Sequence, residues 1–143
     1  MDVVRLIQAA MAARDNAYAP YSQFGVGAAL LTQGGRIYTG CNVENAALTP
    51  GCCAERVALF SALAQGEREF QAMAIVGGPL DRPLEQGEYC APCGVCRQVM
   101  AEFCAPTFSI LLARGPDDFL QYTLAQLLPL PFGPGNLGAS KEG

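Results

Sequence analysis

Two groups of cysteines, each at the start of a predicted helix, constrain the fold of this chain more than any other feature. Cys53 lies near the start of CCAERVALFSALAQ, a segment rich in helix-forming residues, and Cys93 and Cys96 form a CxxC turn that opens another helix. The N-terminus of a helix carries free N–H groups and the positive end of the dipole, which lower the pKa of a thiol. Two such ends can converge on one metal ion, so the fold is expected to bring these distant segments together.

The chain contains no histidine, and this narrows the possible chemistry. Any zinc ion must be held by sulfur or carboxylate, and acid–base catalysis must use a carboxylate, Lys, Tyr or Cys. Three sulfurs leave the fourth tetrahedral position open for water, whose pKa zinc lowers to about 7. Such an arrangement is typical of a catalytic zinc site.

Two charged residues follow Cys53 and are expected to serve the same site. Glu55 lies two residues beyond Cys53, so both can face one ion only from the first turn of the helix. Three thiolates overcompensate the charge of Zn²⁺, and Arg56 can offset this by donating hydrogen bonds to the zinc-bound sulfurs. Arg56 is therefore predicted to tune the metal.

The cysteine pattern also allows two other interpretations. One is a structural zinc site with a fourth protein ligand, and the other is a CxxC redox pair. Cys52 and Cys90 lie close enough in the sequence to be rival ligands. Free cysteines are usually small buried hydrophobes, and we assign no chemistry to the others: Cys41, Cys52, Cys90 and Cys104.

Length and composition predict a single domain over residues 1–143. With 51% apolar residues, the chain can bury a core without disulfides, and its seven cysteines fit a reducing compartment better than a secreted scaffold. No apolar run reaches membrane-spanning length and the first residues do not resemble a signal peptide, so we expect a cytoplasmic protein without a membrane partner. Nine basic and thirteen acidic residues give a net charge of −4, which argues against a nucleic-acid partner.

Hydrophobic periodicity and turn residues predict strands alternating with helices after an opening hairpin at Gly34-Gly35. This pattern is typical of an α/β fold, and we expect three αβα layers with a mixed sheet of roughly five strands. The predicted elements are a helix over about 2–18, strands over 24–32 and 36–43, a helix over 52–65, a strand over 70–77, a loop over 78–91, a helix from about 92–96, a strand over 107–113, a short edge strand near Leu120 and a helix over 124–128.

Five blocks, in this order, resemble the small tri-cysteine cytidine deaminases: AYAPYSQFGVGAALL, GCNVENAA, CAERVALFSA, PCGVCRQV and LLPLPFGP. The resemblance covers nearly the whole chain. It implies a cytidine deaminase-like fold and hydrolytic conversion of cytidine and deoxycytidine to uridine and deoxyuridine, with release of ammonia, in pyrimidine salvage. It also implies one Zn²⁺ per subunit of a homotetramer.

Carried over position by position, the resemblance makes Cys53, Cys93 and Cys96 the zinc ligands. It makes Glu55 the catalytic proton shuttle, which takes a proton from the zinc-activated water and gives it to N3 of cytosine while C4 is attacked.

The resemblance further assigns five residues to the substrate. Phe24 is expected to pack on the pyrimidine ring, the backbone N–H of Ala54 to meet the base carbonyl, and Phe132 to close the pocket of a neighbouring subunit. Asn42 and Glu44 are expected to bind the ribose hydroxyls, and a spacing of two in an extended segment does point both side chains to one side. Without the family blocks, Asn42 and Glu44 would be taken as turn residues and Phe24 as core.

Two features depart from the family pattern. Leu48 stands where many members carry an aromatic residue, and the loop over 78–91 is longer than in compact members. Three rival functions stay open: a deaminase for another aminopyrimidine nucleoside, such as an antibiotic of the blasticidin type; a non-catalytic zinc-stabilised binding module; and a polynucleotide editor, which the acidic charge disfavours.

Overall fold

The computed structural model describes residues 1–139, so the last four residues of the domain predicted over 1–143 lie outside the described part. The helices and strands, in chain order, are α1 (Val3–Arg14), β1 (Phe24–Thr32), β2 (Ile37–Cys41), α2 (Ala54–Ala64), β3 (Phe70–Pro79), α3 (Gly94–Phe103), β4 (Ser109–Gly115), β5 (Asp118–Thr123) and α4 (Leu124–Leu127). Two short 3₁₀ helices cover Leu84–Gln86 and Pro134–Leu137.

The five strands form one mixed sheet in the order β2-β1-β3-β4-β5. β1 is antiparallel to both β2 and β3, β3 is parallel to β4, and β4 is antiparallel to β5. The predicted hairpin at the start of the sheet is confirmed, and Gly35 in its turn adopts a φ of +92°, which glycine accepts without strain.

The central strand β3 separates two apolar cores by the alternation of its side chains. Met73 and Ile75 pack in the core that holds α2 and α3, and Ala72, Ala74 and Val76 pack in the core that holds α1. All five are fully buried. The sheet is therefore covered on both faces, which confirms the predicted three-layer αβα fold.

The backbone at the start of α2 packs directly against the backbone of β2 at Gly40. A Cβ atom added at Gly40 of β2 would lie 2.5 Å from the Ala54 carbonyl oxygen and 2.5 Å from the Ala58 nitrogen. Only glycine leaves room for this contact. Gly40 thus allows the first turn of α2, with Glu55 and the preceding Cys53, to sit directly against the sheet.

The first helix is shorter than the periodicity predicts. α1 begins after the Asp2 cap, as expected, because the Asp2 carboxylate accepts a hydrogen bond from the Arg5 N–H at 3.0 Å. It ends at Arg14, and the prediction that it reaches Tyr18 is wrong. Tyr18 instead forms a parallel bridge with Val43, with its N–H bonded to the Asn42 carbonyl at 2.9 Å, so tertiary pairing overrides helical periodicity there.

The remaining boundaries differ from expectation by a few residues. β2 ends at Cys41, two residues before Val43, which makes isolated bridges to Tyr18 and Cys52. The start of the loop predicted over 78–91 belongs to β3, which runs to Pro79. No helix within residues 1–139 has the length and apolar character needed to cross a membrane.

Candidate active site

The three cysteines predicted to bind metal converge at the N-termini of two helices. Cys53 is the N-cap of α2, Cys93 is the N-cap of α3, and Cys96 lies in the first turn of α3. The Cys53 and Cys93 sulfurs are 3.8 Å apart and the Cys93 and Cys96 sulfurs 3.4 Å apart, with all three within 4.8 Å of one another. Thiolates bound to tetrahedral zinc at about 2.3 Å lie about 3.8 Å apart, so this cluster fits one Zn²⁺.

Arg56 contacts the cysteine cluster from the same helix turn. Its Nη2 atom donates to the Cys53 sulfur at 3.4 Å, as the sequence predicts. The pKa of the Cys53 thiol is lowered to about 5, first by a hydrogen bond with Cys96 and then by Arg56. The same bond with Cys53, together with burial, raises the pKa of Cys96. The guanidinium therefore stabilises thiolate at the site, which favours metal binding.

Glu55 is a buried carboxylate beside these sulfurs. Only 5% of its surface is exposed, and Thr32 is the other buried polar residue within residues 1–139. Burial is the main cause that raises the pKa of Glu55, and the neighbouring Cys53 charge adds to it. A carboxylate with a raised pKa is a stronger base than a solvated glutamate, which suits it to accept a proton during a reaction.

A cleft of about 540 Å³ opens next to the cluster. Its lining includes Cys53, Arg56, Asn42 and Glu44. The structure therefore brings together four of the residues singled out in the sequence. Leu48 also lines this cleft and is 91% exposed, so it occupies the rim.

The Asn42 side chain is bonded to the backbone of β1 at both of its polar ends. Its Oδ1 accepts from the Val26 N–H at 2.8 Å, and its Nδ2 donates to the Phe24 carbonyl at 2.8 Å. An amide nitrogen carries two protons, so one donor of Asn42 is left for a ligand.

The Glu44 carboxylate binds the turn that faces it. Oε1 accepts from the Tyr21 N–H at 3.0 Å and the Ser22 N–H at 3.2 Å, and Oε2 accepts from the Ser22 hydroxyl. The Ser22 hydroxyl bond is the main cause that lowers the pKa of Glu44. A carboxylate offers about four acceptor positions, so capacity for one further donor is left.

Three of the predicted substrate residues do not line this cleft in a single chain. Phe24 lies at the start of β1 and is 38% exposed, Ala54 is buried in the first turn of α2, and Phe132 is 60% exposed in the C-terminal segment. Conversely, the sequence analysis did not single out Tyr21 or Ser22, which line the cleft. Their position in a Pro-Tyr-Ser turn directly before β1 is the signal that could have found them.

The αβα sheet, three converging thiols and a buried carboxylate define an enzyme of the zinc-dependent deaminase class. The family model for the cytidine and deoxycytidylate deaminase zinc-binding region matches residues 2–112. The chain belongs to this family.

Two relatives and one solved structure show how far this similarity extends. The chain is 44% identical to a cytidine deaminase of Sporosarcina psychrophila over 99% of both chains, and 44% identical to one of Halalkalibacterium halodurans over 92% of this chain and 95% of the relative. The crystal structure of a cytidine deaminase from Burkholderia pseudomallei has 50% identity and a TM-score of 0.80, covering 90% of this chain and 97% of that one. These findings confirm the predicted fold, enzyme class and zinc cofactor.

Proposed function

We propose that this chain hydrolyses the exocyclic amino group of cytidine and deoxycytidine, giving uridine or deoxyuridine and ammonia. The observation that carries this proposal is the buried Glu55 carboxylate beside three converging sulfurs. The 44% identity to two cytidine deaminases over nearly their whole length supports this substrate class.

Cys53, Cys93 and Cys96 would hold one Zn²⁺, which when bound supplies a water molecule that ionises near neutral pH. The Glu55 carboxylate takes a proton from the attacking water and passes it to N3 of the base while C4 is attacked. It then carries the second proton to the amino group, which leaves as ammonia. Because Glu55 is buried, bulk water does not compete for these protons.

The proposed substrate contacts use hydrogen-bonding positions of Asn42 and Glu44 that are left over after their bonds within the protein. The second proton of the Asn42 amide and the remaining acceptor position of Glu44 would bind ribose hydroxyls. The Ala54 N–H in the first turn of α2 would donate to the base carbonyl, and Phe24 would pack against the ring. Arg56 favours the thiolate form of Cys53 through its bond to that sulfur, which helps to lower the pKa of Cys53.

We further propose a homotetramer in which Phe132 of one copy closes the cleft of another. Leu127 and Leu128, at the start of LLPLPF, pack against the core, whereas Leu130 is 93% exposed and Phe132 is 60% exposed, so the end of this segment does not pack back onto its own domain. Neighbouring large apolar side chains that are exposed in one chain, as Leu130 and Phe132 are, are typical of a protein–protein interface.

The experiment that tests the proposed reaction measures ammonia release by the purified zinc-loaded protein. The substrates are cytidine, deoxycytidine, cytosine, cytidine monophosphate and a blasticidin-type nucleoside. We expect turnover of the first two and about one zinc per chain by elemental analysis. Turnover confined to another substrate, or full activity with no zinc, would contradict the proposal.

A further inference from the structure

Arg14 lies on the face of the sheet opposite the metal cluster. A Cβ atom added at Gly25 would lie 3.5 Å from the Arg14 Nε, and one at Gly27 would lie 2.9 Å from the Arg14 Cβ. Successive side chains of a strand alternate between faces, so Phe24 and Val26 point to the other side. Val26 packs in the core that holds α2 and α3, which is the side of the active site.

The Arg14 guanidinium joins the ends of two paired strands. Its Nε donates to the Gly25 carbonyl at 2.8 Å, and its Nη2 donates to the carbonyls of Gly78 at 2.9 Å and Pro79 at 3.2 Å. In the register of β1 and β3, Gly25 faces Gly78 and Phe24 faces Pro79. One acceptor is therefore the residue after Phe24, and the other two belong to the β3 residues that pair with Gly25 and Phe24.

This end of β1 lacks a neighbouring strand on its other edge. The ladder with β2 begins at Gly27, so the residues from Phe24 to Val26 extend beyond it. Here the Asn42 side chain takes the place of a strand by bonding to the Val26 N–H and the Phe24 carbonyl. Asn42 therefore bonds to this segment along the edge that lacks a strand, and Arg14 bonds to it on the face of the sheet opposite the metal cluster.

Gly27 of β1 makes room for the last turn of α1, which carries Arg14. A Cβ atom at Gly27 would lie 2.0 Å from the Ala10 carbonyl oxygen, so the last turn of α1 can rest on the strand only if this position is glycine. The guanidinium is planar and stays charged, and its fixed fork can serve several carbonyls at once. A lysine carries its three N–H donors on one nitrogen, so it cannot donate from the two separate positions that the Nε and Nη2 atoms of Arg14 occupy.

We propose that Arg14 is a positioning residue for the reaction: it fixes, through the backbone, the strand end from which Phe24 meets the substrate base. The inference rests on the proposed function, in which Phe24 packs on the pyrimidine ring. Arg14 itself does not touch the substrate, because the sheet lies between them.

The test compares Arg14→Met and Arg14→Lys with Arg5→Met, a control that removes one positive charge from the exposed side of the same helix. All are assayed as zinc-loaded protein well below their unfolding temperatures. We expect Arg14→Met to raise KM for cytidine by about tenfold, the scale of one base–aromatic contact, with kcat changed by less than about threefold and zinc content unchanged. Arg14→Lys should be intermediate, and Arg5→Met should match the wild type.

Hydrogen exchange gives a readout that is independent of activity. Peptides that cover Phe24–Val26 should exchange faster in Arg14→Met, whereas peptides from α3 should not change. A lower Tm with an unchanged KM would show that Arg14 is merely structural and would overturn the proposal. If Arg14→Met does not fold, Arg14→Lys supplies the same comparison.

Phe24→Ala, alone and combined with Arg14→Met, separates failure of this inference from failure of the proposed function. We expect Phe24→Ala to raise KM and the double variant to be little worse. If Phe24→Ala raises KM and Arg14→Met does not, the positioning role alone is wrong. If Phe24→Ala leaves KM unchanged, the proposed role of Phe24 is wrong and the positioning role falls with it.

Discussion

The guanidinium of Arg56 donates to the sulfur of Cys53 at 3.4 Å, across the first turn of α2. A thiolate is thus stabilised at the helix N-terminus by a fixed positive charge as well as by the helix dipole. Three thiolates around Zn²⁺ would otherwise form a centre with net negative charge and weak Lewis acidity. The charge on Arg56 is therefore expected to matter more for turnover than for holding the metal.

Arg56→Ala should keep the zinc and lower kcat for cytidine by about tenfold to a hundredfold, the range typical of residues that support metal ligands. Arg36→Ala, at an exposed position of the β1–β2 turn, is the matched control and should change neither quantity. Zinc content by elemental analysis and steady-state kinetics check the prediction. Unchanged kcat with unchanged zinc affinity would assign Arg56 no part in the chemistry.

Glu55→Gln should keep the fold and the zinc but lower kcat by at least a hundredfold. An amide cannot move the two protons of the reaction, and general acid–base catalysis contributes roughly 10²–10⁴ in rate. Glu69→Gln, which neutralises an exposed glutamate, should leave kcat unchanged. Ammonia release and zinc content are the measurements. Activity within about tenfold of the wild type would exclude Glu55 as the shuttle, since that loss is smaller than the least expected from proton transfer.

Asp118 should contribute stability in a pH-dependent way. It accepts from the Tyr89 hydroxyl at 2.5 Å and pairs with Arg114 at 2.9 Å, and the Tyr89 bond is the main cause that lowers its pKa. A carboxyl group with a lowered folded-state pKa stabilises the fold above its unfolded pKa of about 4 and loses this effect as the pH falls through the folded value. Asp118→Asn should therefore lower Tm at pH 7 and have less effect near pH 3. An equal Tm difference at both pH values would contradict this.

Gln23 connects the turn beside the cleft to β1 and has a φ of +59°. This is the left-handed region, where a β-branched side chain is strained by roughly 1–2 kcal/mol. Gln23→Val should lower the free energy of unfolding by about that amount relative to Gln23→Asn, since asparagine tolerates this conformation. Urea denaturation of the two variants measures the difference. Equal stabilities would show that the turn relaxes without cost.

The metal site could be predicted from the sequence because its information is local. Cys53, Cys93 and Cys96 each lie at a helix start that residue propensities identify, and the absence of histidine limits the alternatives. The αβα layering likewise follows from the strand and helix patterns. The strand order β2-β1-β3-β4-β5 comes from pairings between distant segments, which single-chain periodicity does not specify.

The substrate side of the cleft was less predictable for the same reason. Spacing indicates that Asn42 and Glu44 point to one side, but it does not show that Asn42 bonds to β1 or that Glu44 caps the Tyr21–Ser22 turn. The early end of α1 has the same origin, because Tyr18 leaves the helix to pair with Val43. Each of these features depends on a partner that lies far away in the sequence.

Substitutions in and beside the C-terminal segment test the proposed assembly. Gln98 of α3 donates from Nε2 to the Phe132 carbonyl at 2.6 Å and so holds the backbone of this segment. Phe132→Ala should raise KM for cytidine by about tenfold, equivalent to about 1.4 kcal/mol of binding, while Tm changes little, because the ring is 60% exposed in one chain. Gln98→Ala should raise KM in the same direction but less, since it loosens the backbone and keeps the ring. Gln121→Ala is the matched control, because Gln121 is an exposed residue of the edge strand β5 whose side-chain amide also makes a single hydrogen bond, to Ser109 of β4. Sedimentation at micromolar concentration should show a tetramer for the wild type. A monomer with full activity would contradict both the assembly and the shared site, because Phe132 does not line the cleft of its own chain.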